Sequence, residues 1–327
     1  MEGRACLVTG AAGFIGSHLV RRLVALGAKV DVLVRQSSSL DRLADCRSKV
    51  RLHYADLRDE AATREALASA KPEFVFHFAS PSRGANSADL EPTRKSIEDI
   101  LKPLIGLVDA ATALQTPPRA FFRSGTIAEY GAVALPYRER QRENPITAYG
   151  AAMLAGTHYL EMLQRNLPFR AITARLALTY GSGQSDEFLI PQLVDACLEG
   201  RRIEIKRPDD RRDLIHVDDV VSAFLAFAET RNVRSRVINV ATGSAPSMRE
   251  VAAEVIAATK CDPALVEQHR SPPGEAINEL RCDTSLARET YSWSATIGLR
   301  QGLSQLISAR RAQIGAGETG LSAKAYG

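Results

Sequence analysis

The hydrophobic pattern of the first 180 residues alternates between two periods. Short runs rich in β-branched and aromatic residues predict buried strands, because a strand covered on both faces reads as a nearly continuous apolar run. Stretches with apolar residues three and four apart predict helices between them. The predicted strands are Ala5–Val8, Val30–Val34, Arg51–Tyr54, Phe74–Phe78, Ala120–Arg123 and Arg170–Leu176. The predicted helices are Phe14–Leu26, Glu60–Ala70, Ser96–Leu114 and Ala148–Asn166. This alternation is typical of βαβ units, so we expect an α/β fold with a doubly wound parallel sheet of the Rossmann type.

Beyond Gly181 the alternation loosens, which predicts a smaller α/β substrate domain interleaved with the sheet. Its short elements are Ile203–Ile205, Leu214–Val217 and Val237–Val240, and its helices lie near Glu187–Leu198, Asp218–Glu229, Ser247–Ala258 and Leu299–Ser308. We therefore assign residues 1–180 to a dinucleotide-binding domain to which the chain returns near 214–241. Residues 181–312 are expected to bind mainly substrate. Residues 313–327, rich in Gly, Ala and Ser, are expected to form a flexible tail.

Three glycines, Gly10, Gly13 and Gly16, lie between the first predicted strand and the first predicted helix. Such glycines allow a tight turn, close approach of the backbone to a pyrophosphate, and close packing of helix on strand. The helix that follows offers unpaired N–H groups and a positive dipole end to phosphates. A lone glycine triplet is a weak signal, but here strand, triplet and helix follow in the required order. The sequence therefore predicts a dinucleotide site.

The end of the second predicted strand bears on the choice of dinucleotide. NAD sites usually place an acid there for the ribose hydroxyl, whereas this strand ends in Arg35 followed by Ser37, and Asp31 lies too early. Arginine and hydroxyl groups suit a 2′-phosphate. We therefore predict NADP(H) as the preferred cofactor and NAD(H) as the alternative. Asp56 and Leu57, after the third strand, are expected to lie at the adenine ring.

Composition and charge exclude several other classes of protein. The chain has 327 residues, is 45% hydrophobic and 24% charged, and carries a net charge of +4 spread along its length, unlike the concentrated basic patch of most nucleic-acid binders. Five scattered cysteines without a CxxC pair indicate reduced thiols, and six histidines without HExxH predict no metal site. No apolar run approaches the roughly 18 residues of a membrane span. Because the first strand begins near Met1, we expect no signal peptide and a cytoplasmic protein.

Several motifs along the chain point together to one family. They are the glycine turn, residues 76–79 (FHFA), residues 126–131 (TIAEYG), Tyr149, residues 211–220 (RRDLIHVDDV) and residues 281–287 (RCDTSLA). From Ala5 to Leu306 the chain resembles the extended short-chain dehydrogenase/reductase family, which contains nucleotide-sugar epimerases, dehydratases and 4-ketoreductases. The motifs are specific for the family and much less so for a reaction.

The resemblance implies a role for particular residues. Tyr149 would be the acid/base and Thr126 the hydroxyl that polarises the substrate oxygen. A phenol beside a second hydroxyl suits this chemistry, because a ketone that accepts a hydride needs a proton. Further cofactor contacts would be Phe14, Ile15, Phe78, Ala79 and Ser80, and substrate contacts would be Ser82, Arg83, Thr126, Arg212 and Arg270. The resemblance also implies a homodimer, through the helices predicted at Ser96–Leu114 and Ala148–Asn166.

The largest departure from the family pattern is Met153, at the position where the family has a lysine one helical turn after the tyrosine. That lysine would orient the nicotinamide ribose and lower the pKa of the tyrosine, and methionine carries no charge. Oxidation of an alcohol needs Tyr149 as a phenolate, whereas reduction of a ketone needs the neutral phenol, so the loss should harm reduction less. Epimerases and dehydratases begin by oxidation, and Met153 argues against both.

Other departures concern dehydration and substrate contacts. Family dehydratases carry an Asp-Glu pair where this chain has Ile127 and Ala128, so dehydration is not expected. Leu178 and Pro272 replace an asparagine and an arginine that would contact the diphosphate, which leaves Arg212 with Arg270 as a stand-in. Glu129 occupies a position that is usually apolar, and the sequence offers no reason for it.

The sequence therefore predicts an NADP(H)-preferring reductase acting on a keto group, at C4, of a nucleotide-linked sugar. One alternative is a nucleotide-sugar 4-epimerase with retained NAD⁺. Another is a protein that binds dinucleotide and ligand without catalysis.

Overall fold

The computed structural model describes residues 1–80, 87–231, 235–269, 276 and 278–324, with side chains described as far as Ile314. In chain order the strands are β1 (Ala5–Thr9), β2 (Lys29–Val34), β3 (Val50–Tyr54), β4 (Phe74–His77), β5 (Ala120–Thr126), β6 (Arg170–Leu176), β7 (Leu178–Tyr180), β8 (Ile203–Ile205), β9 (Arg211–Arg212), β10 (Leu214–His216), β11 (Val237–Val240), β12 (Val266–Gln268) and β13 (Glu279–Leu280). The helices are α1 (Phe14–Ala25), α2 (Glu60–Ala70), α3 (Leu90–Ser96), α4 (Lys102–Thr112), α5 (Ala148–Leu163), α6 (Leu189–Glu199), α7 (Val217–Glu229), α8 (Met248–Thr259), α9 (Ser285–Tyr291) and α10 (Leu299–Lys324).

Seven strands form one parallel sheet in the order β11-β6-β5-β4-β1-β2-β3. The order reverses at β1 and β4, and this switch point of a doubly wound sheet is where ligands bind, outside the carboxyl ends of the strands. The register carries Thr9 of β1 to the level of His77 in β4. The predicted doubly wound parallel sheet is confirmed.

Alternate side chains of the strands pack into two separate cores, one on each face of the sheet. One core places Val8, Phe76 and Phe122 of the sheet with Leu19 of α1 and Phe224 of α7. On the opposite face, the neighbouring strand residues pack against α2 and α4. The members include Leu7, Val75, Phe121, Leu67, Leu104 and Leu107. Because the central strands are covered on both faces, their sequences are mostly apolar, which is the pattern that predicted them.

The later part of the chain builds a third core and three small sheets. Helices α6, α8 and α10 enclose apolar residues that include Leu193, Val255 and Leu306. The two-stranded sheets pair β10 with β7, β12 with β8 and β13 with β9. Strand β11 instead joins the edge of the large sheet beside β6. The chain thus returns to the first layer after contributing to the third core.

Two predicted elements differ from the structure. The helix predicted at Ser96–Leu114 begins at Leu90 and is interrupted by a π-helical turn at Ile97–Leu101, directly before Pro103. Proline has no N–H, so the regular α-helical hydrogen-bond pattern cannot run through it unbroken. The helix predicted near Leu299–Ser308 is longer in the structure, because α10 continues to Lys324, and the flexibility expected of residues 313–327 stays a prediction. The Ala, Gln, Glu and Lys residues of α10 favour a helix more than its glycines oppose it.

Replacing Gly16 by alanine should destabilise the β1–α1 turn. A Cβ at Gly16 would lie 2.2 Å from the carbonyl oxygen of Gly10, whereas a Cβ at Gly106, also helical, would meet no atom closer than 3.7 Å. Overpacking of this kind typically costs about 1–3 kcal/mol. Denaturant titrations should therefore show a lower free energy of unfolding for G16A than for the wild type, and no such decrease for the control G106A. Equal stability of the two variants would contradict the packing described.

Candidate functional site

The glycine turn brings β1, α1 and the segment after β4 into backbone contact. Gly10 has φ +68°, and a Cβ there would lie 2.6 Å from the backbone nitrogen of Ala79. Helix α1 begins after Gly13, which has no side chain to accept a hydrogen bond from the first N–H groups. Those N–H groups are free to bind an anion at the positive end of the helix dipole. The turn therefore fits the pyrophosphate of a dinucleotide.

Two cavities meet at this turn. One, of about 910 Å³, extends toward Thr126 and Tyr149, and the other, of about 620 Å³, extends along the ends of β2 and β3. Both are lined by Gly10, Gly13, Arg42, Phe78 and Ser80. A ligand that lies across the turn can therefore occupy both, which suits a dinucleotide in an extended conformation. Phe14, Ile15 and Gly16 line the first cavity only.

The second cavity gathers the residues predicted for the adenosine end. Arg35, Ser37, Asp56, Leu57 and Ala79 all line it. The Asp56 carboxylate accepts hydrogen bonds of 3.0 and 2.7 Å from the guanidinium of Arg58. These bonds lower the pKa of Asp56 to about 2, so it is ionised near neutral pH.

Arg42 lines both cavities and was not predicted from the sequence. It lies in a 3₁₀ turn, Asp41–Leu43, and its Nε donates to the carbonyl oxygen of Gly183 over 3.1 Å. Because the turn lies eight residues after β2 and forms no glycine or acid motif, no sequence pattern indicated it. Its side chain joins Arg35 and Arg58 in the wall of the second cavity.

Tyr149 stands in the first turn of α5, whose N-cap Thr147 accepts a hydrogen bond of 3.0 Å from the Gly150 N–H. Thr126 and Ser80 line the same cavity as Tyr149, as the resemblance implied for Thr126. Burial and the Glu129 carboxylate raise the pKa of Tyr149, and Arg123 and the two hydroxyls oppose that rise. The net direction is upward, so Tyr149 is a neutral phenol near neutral pH.

Glu129 is explained by the turn after β5. Its Oε1 accepts from the Thr126 N–H over 3.1 Å, and the Ala128 N–H donates to Thr126 Oγ1 over 3.2 Å, so the two residues form a capping box. A Cβ on Gly125 would lie 2.7 Å from Glu129 Oε1, which shows that glycine leaves room for the carboxylate. Glu129 therefore fixes the backbone that carries Thr126.

The other oxygen of Glu129 belongs to a buried ionic cluster. Arg175 Nε donates to Glu129 Oε2 over 2.8 Å, and Arg175 Nη2 donates to Glu143 Oε1 over 2.7 Å. Arg175 is 1% exposed and Glu129 is fully buried. The guanidinium also lies 4.4 Å above the ring centre of Tyr130. Buried ionised groups need partners of opposite charge. The sequence did not indicate that Arg175 and Glu129 would form such an ion pair.

Met153 lies one helical turn after Tyr149 and is 1% exposed. Ser80 Oγ donates to its sulfur over 3.6 Å. The guanidinium of Arg123 approaches the same sulfur over 3.4 Å from the side of β5. Met153 therefore lies between Ser80, which lines the cavity of Tyr149, and the buried guanidinium of Arg123.

Another wall of the first cavity carries two arginines that bond to one carboxylate. Arg212 Nη2 donates to Asp210 Oδ2 over 2.8 Å, and Arg207 Nε donates to the same oxygen over 2.8 Å. Burial alone would raise the pKa of Asp210, but these hydrogen bonds lower it. Arg212 therefore lies where the sequence predicted, and Arg207 and Lys206 join it in the wall.

The remaining predicted substrate residues are only partly accounted for. Leu178 lines the cavity in place of an asparagine. Ser82, Arg83 and Arg270 lie outside the described residues, so their predicted contacts stay predictions. Within the described ranges, no group of three or more His, Cys, Asp and Glu side chains could hold a metal ion. Over the same part of the chain, no helix combines the length and apolar character needed to cross a membrane.

The comparison with known proteins addresses the family directly. Residues 6–241 match the model of the "NAD dependent epimerase/dehydratase family". The chain belongs to this family. This confirms the resemblance to the extended short-chain dehydrogenase/reductases, and the relatives of this chain are enzymes: epimerases, dehydratases and reductases.

Similar proteins differ in the reaction that their names state. A UDP-glucose 4-epimerase of Mycolicibacterium smegmatis is 31% identical over 92% of this chain and 96% of its own. A dTDP-4-dehydro-6-deoxy-D-allose reductase of a Streptomyces species is 28% identical over 78% of this chain and 81% of its own. The solved structure of MoeE5 in complex with UDP-glucuronic acid and NAD superposes with a TM-score of 0.81 at 28% identity, covering 94% and 99% of the two chains.

His77, beneath the site, should make stability depend on pH. Its Nδ1 lies 2.7 Å from Thr9 Oγ1, and burial together with the charge of Arg123 lowers its pKa to about 3. An unfolded histidine titrates near 6.5, so the unfolded chain binds the extra proton between about pH 6.5 and 3. The contribution of the neutral His77 to the free energy of unfolding is therefore complete above pH 6.5 and is lost as the pH falls toward 3.

From pH 7 to pH 5 this one group should remove roughly 2 kcal/mol of unfolding free energy. Denaturant titrations at both pH values should show that His77→Asn loses less stability over this interval than the wild type. His158→Asn, at a side chain 56% exposed, is the control and should behave like the wild type. An unchanged pH dependence in His77→Asn would contradict the assignment.

Proposed function

We propose that the protein is an oxidoreductase that reduces the 4-keto group of a nucleotide-diphosphate sugar, with Tyr149 as the proton donor. The observation that carries this proposal is the placement of the partly buried Tyr149 phenol in one cavity with Thr126, Ser80 and the uncharged Met153, where burial raises its pKa. A proton donor must hold its proton at the working pH, and this phenol does so. A base that oxidises an alcohol would instead need a lowered pKa.

The residues of the first cavity divide the work of such a reduction. Bound NADPH would supply the hydride for the keto carbon. Tyr149 gives its proton to the oxygen of the substrate, and Thr126, beside it, orients that oxygen by a hydrogen bond. The capping box of Thr126 and Glu129 keeps this hydroxyl in place. Phe14, Ile15 and Phe78 line the cavity with apolar surface and limit the access of water.

The cofactor preference is proposed from the second cavity. Arg35, Ser37 and Arg42 line it, and no carboxylate follows β2 at the position of Arg35. Arginines and hydroxyls favour a 2′-phosphate, whereas NAD sites use a carboxylate for the 2′-hydroxyl. NADP(H) is therefore the proposed partner. Asp56 and Leu57 are placed to contact the adenine end.

The substrate class is proposed from the opposite wall. Arg212 and Arg207 are oriented by Asp210, and Lys206 lies beside them. Guanidinium groups bind phosphate oxygens with charge-assisted hydrogen bonds. Residues 1–180 would thus hold the dinucleotide and residues 181–312 most of the nucleotide sugar.

A nucleotide-sugar 4-epimerase is the second candidate, and the 31% identity to a UDP-glucose 4-epimerase favours it. Such an enzyme would retain NAD⁺ through purification and act without added cofactor. A reductase consumes added NADPH in equal amount with the keto substrate. A third candidate, binding without catalysis, predicts tight NADPH binding and no turnover of any keto-sugar nucleotide.

Tyr149→Phe should abolish reduction while leaving ligand binding intact. Removing the phenolic oxygen deletes the proton donor but keeps the ring, so the loss should be about 100-fold or more, as is typical of general acids. The test follows NADPH oxidation with a panel of 4-keto nucleotide sugars and cofactor binding by calorimetry. Tyr54→Phe, at a residue 49% exposed outside both cavities, is the matched control. Full activity in Tyr149→Phe would refute the proposal.

Arg35→Ala should weaken NADPH much more than NADH. Loss of one charge-assisted contact to the 2′-phosphate corresponds to about 1.5–3 kcal/mol, or roughly 10- to 100-fold in Kd. Calorimetry with both cofactors measures the ratio directly. Arg47→Ala, at an exposed arginine that lines neither cavity, is the control. If the wild type binds NADH more tightly and Arg35→Ala leaves both constants unchanged, the preference for NADP(H) is wrong.

A further inference from the structure

Arg123 is a buried cation behind the proposed proton donor. It belongs to β5, is 1% exposed, and reaches under α5. Its Nη2 donates to the carbonyl oxygen of Met153 over 2.9 Å and approaches the sulfur of that residue over 3.4 Å. Its Nη1 donates to Thr157 Oγ1 over 3.0 Å. An arginine does not lose its proton in a protein, so a full positive charge lies here.

The fold makes specific room for this guanidinium. A Cβ on Gly156 would lie 2.8 Å from Arg123 Nη2, and one helical turn of α5 therefore has no side chain where the guanidinium lies. Thr157, the next residue, is fully buried and passes a hydrogen bond from its hydroxyl to Glu129 Oε2 over 2.8 Å. Arg123 thus hydrogen-bonds with α5 at Met153 and Thr157 and packs against Gly156 between them.

The charge of Arg123 is only indirectly balanced. Among the described residues no carboxylate contacts it, and Glu129 is reached through the Thr157 hydroxyl. The direct partner of Glu129 is Arg175, which also binds Glu143. The field of Arg123 is therefore not cancelled by contact with an anion, and in a buried environment it extends over several ångströms.

Tyr149 lies within that field. The sulfur of Met153 contacts Arg123 and Ser80, and Tyr149 packs against the apolar cluster that contains Met153. The charges that act most strongly on the phenol are Glu129 and Arg123, with opposite signs. His77, from β4, is neutral because burial and Arg123 hold its pKa near 3, so it adds no charge.

We propose that Arg123 is a positioning residue for proton transfer: its guanidinium faces Tyr149 from behind Met153 and stabilises the phenolate left when the proton moves to the substrate oxygen. This rests on the proposed role of Tyr149 as proton donor. The proton leaves the phenolic oxygen for the oxygen of the substrate, and the phenolate regains a proton from solvent. Arg123 transfers no proton in this step. It cannot contact the cofactor because it is enclosed by β5 and α5.

The proposal explains why an apolar residue is tolerated at position 153. A lysine there would place a second cation against Arg123, and methionine instead offers a polarisable sulfur to the guanidinium. Within the part of the chain that the structure describes, the cation that acts on the phenol is thus on β5 and not on α5. Arg123 therefore depends on Gly156 for space and on Met153 for a neutral side chain at position 153.

The test is a titration of Tyr149 in the full chain without cofactor or substrate. Difluorotyrosine introduced at position 149 alone titrates at lower pH than tyrosine, so its ¹⁹F signal reports the phenol before alkaline unfolding. Arg123→Met, which keeps the volume and removes the charge, should raise the pKa of this phenol by about one unit or more. Arg123→Lys should stay close to the wild type. Arg170→Gln removes a half-buried arginine that bonds carbonyl oxygens away from the site, and should change nothing.

The double variant R123M/M153K places a cation at position 153 in place of the lost guanidinium and should bring the pKa of Tyr149 back toward the wild-type value. A folded Arg123→Met with an unchanged pKa of Tyr149 would overturn the proposal. If Arg123→Met does not fold, Arg123→Lys and the double variant decide, since each keeps one cation. A pKa of Tyr149 raised by about one unit in both Arg123→Lys and R123M/M153K would also overturn the proposal.

The outcome can be separated from that of the proposed function. The titration needs no substrate, so a wild type that reduces no keto-sugar would defeat the reductase and leave the field of Arg123 measurable. Where the wild type is active, Arg123→Met should lower kcat by up to about tenfold per unit of pKa shift, with KM little changed. A change in KM alone would contradict a role in proton transfer.

Discussion

The structure depends on one close backbone approach, that of the β1–α1 turn to the segment after β4. Gly10 has φ +68° and leaves no room for a side chain beside Ala79, and Gly16 packs directly on the Gly10 carbonyl. This contact brings the open end of α1 to the switch point of the sheet, where the two cavities meet. It also fixes Phe78 and Ser80, and through Ser80 it reaches Met153 and the phenol of Tyr149.

The second requirement is the neutralisation of charges that the sheet buries. Arg175 and Glu129 lie inside β6 and the turn after β5, where an unpaired ion would be very costly. Their ion pair, extended to Glu143 on one side and through Thr157 to Arg123 on the other, satisfies most of these groups. Such a cluster gives little net stability over an apolar one. What it provides here is a fixed Thr126 and a directed positive field.

The sequence predicted the sheet and the glycine turn because each rests on local pattern, whereas the roles of Thr126 and Tyr149 came from the family resemblance and stay predictions. Apolar periodicity reported the strands, and glycines at fixed spacing reported the turn. It missed Arg42 and the Arg207–Asp210 pair, since these meet the site only through tertiary packing. It overlooked the Thr126–Glu129 spacing of a capping box, which is a local signal, and it could not foresee the partners Arg175 and Thr157, which lie 46 and 28 residues from Glu129. The π turn before Pro103 and the length of α10 were likewise beyond periodicity. The homodimer and the cytoplasmic location stay predictions.

The most direct measurement is a crystal structure of the protein with NADPH and a nucleotide diphosphate bound. The account predicts the pyrophosphate on the N–H groups of α1 at Gly13, the 2′-phosphate at Arg35 and Arg42, and the nicotinamide ring beside the hydroxyl of Tyr149. A dinucleotide bound away from the glycine turn would contradict it. So would a nicotinamide separated from Tyr149 by the width of the cavity.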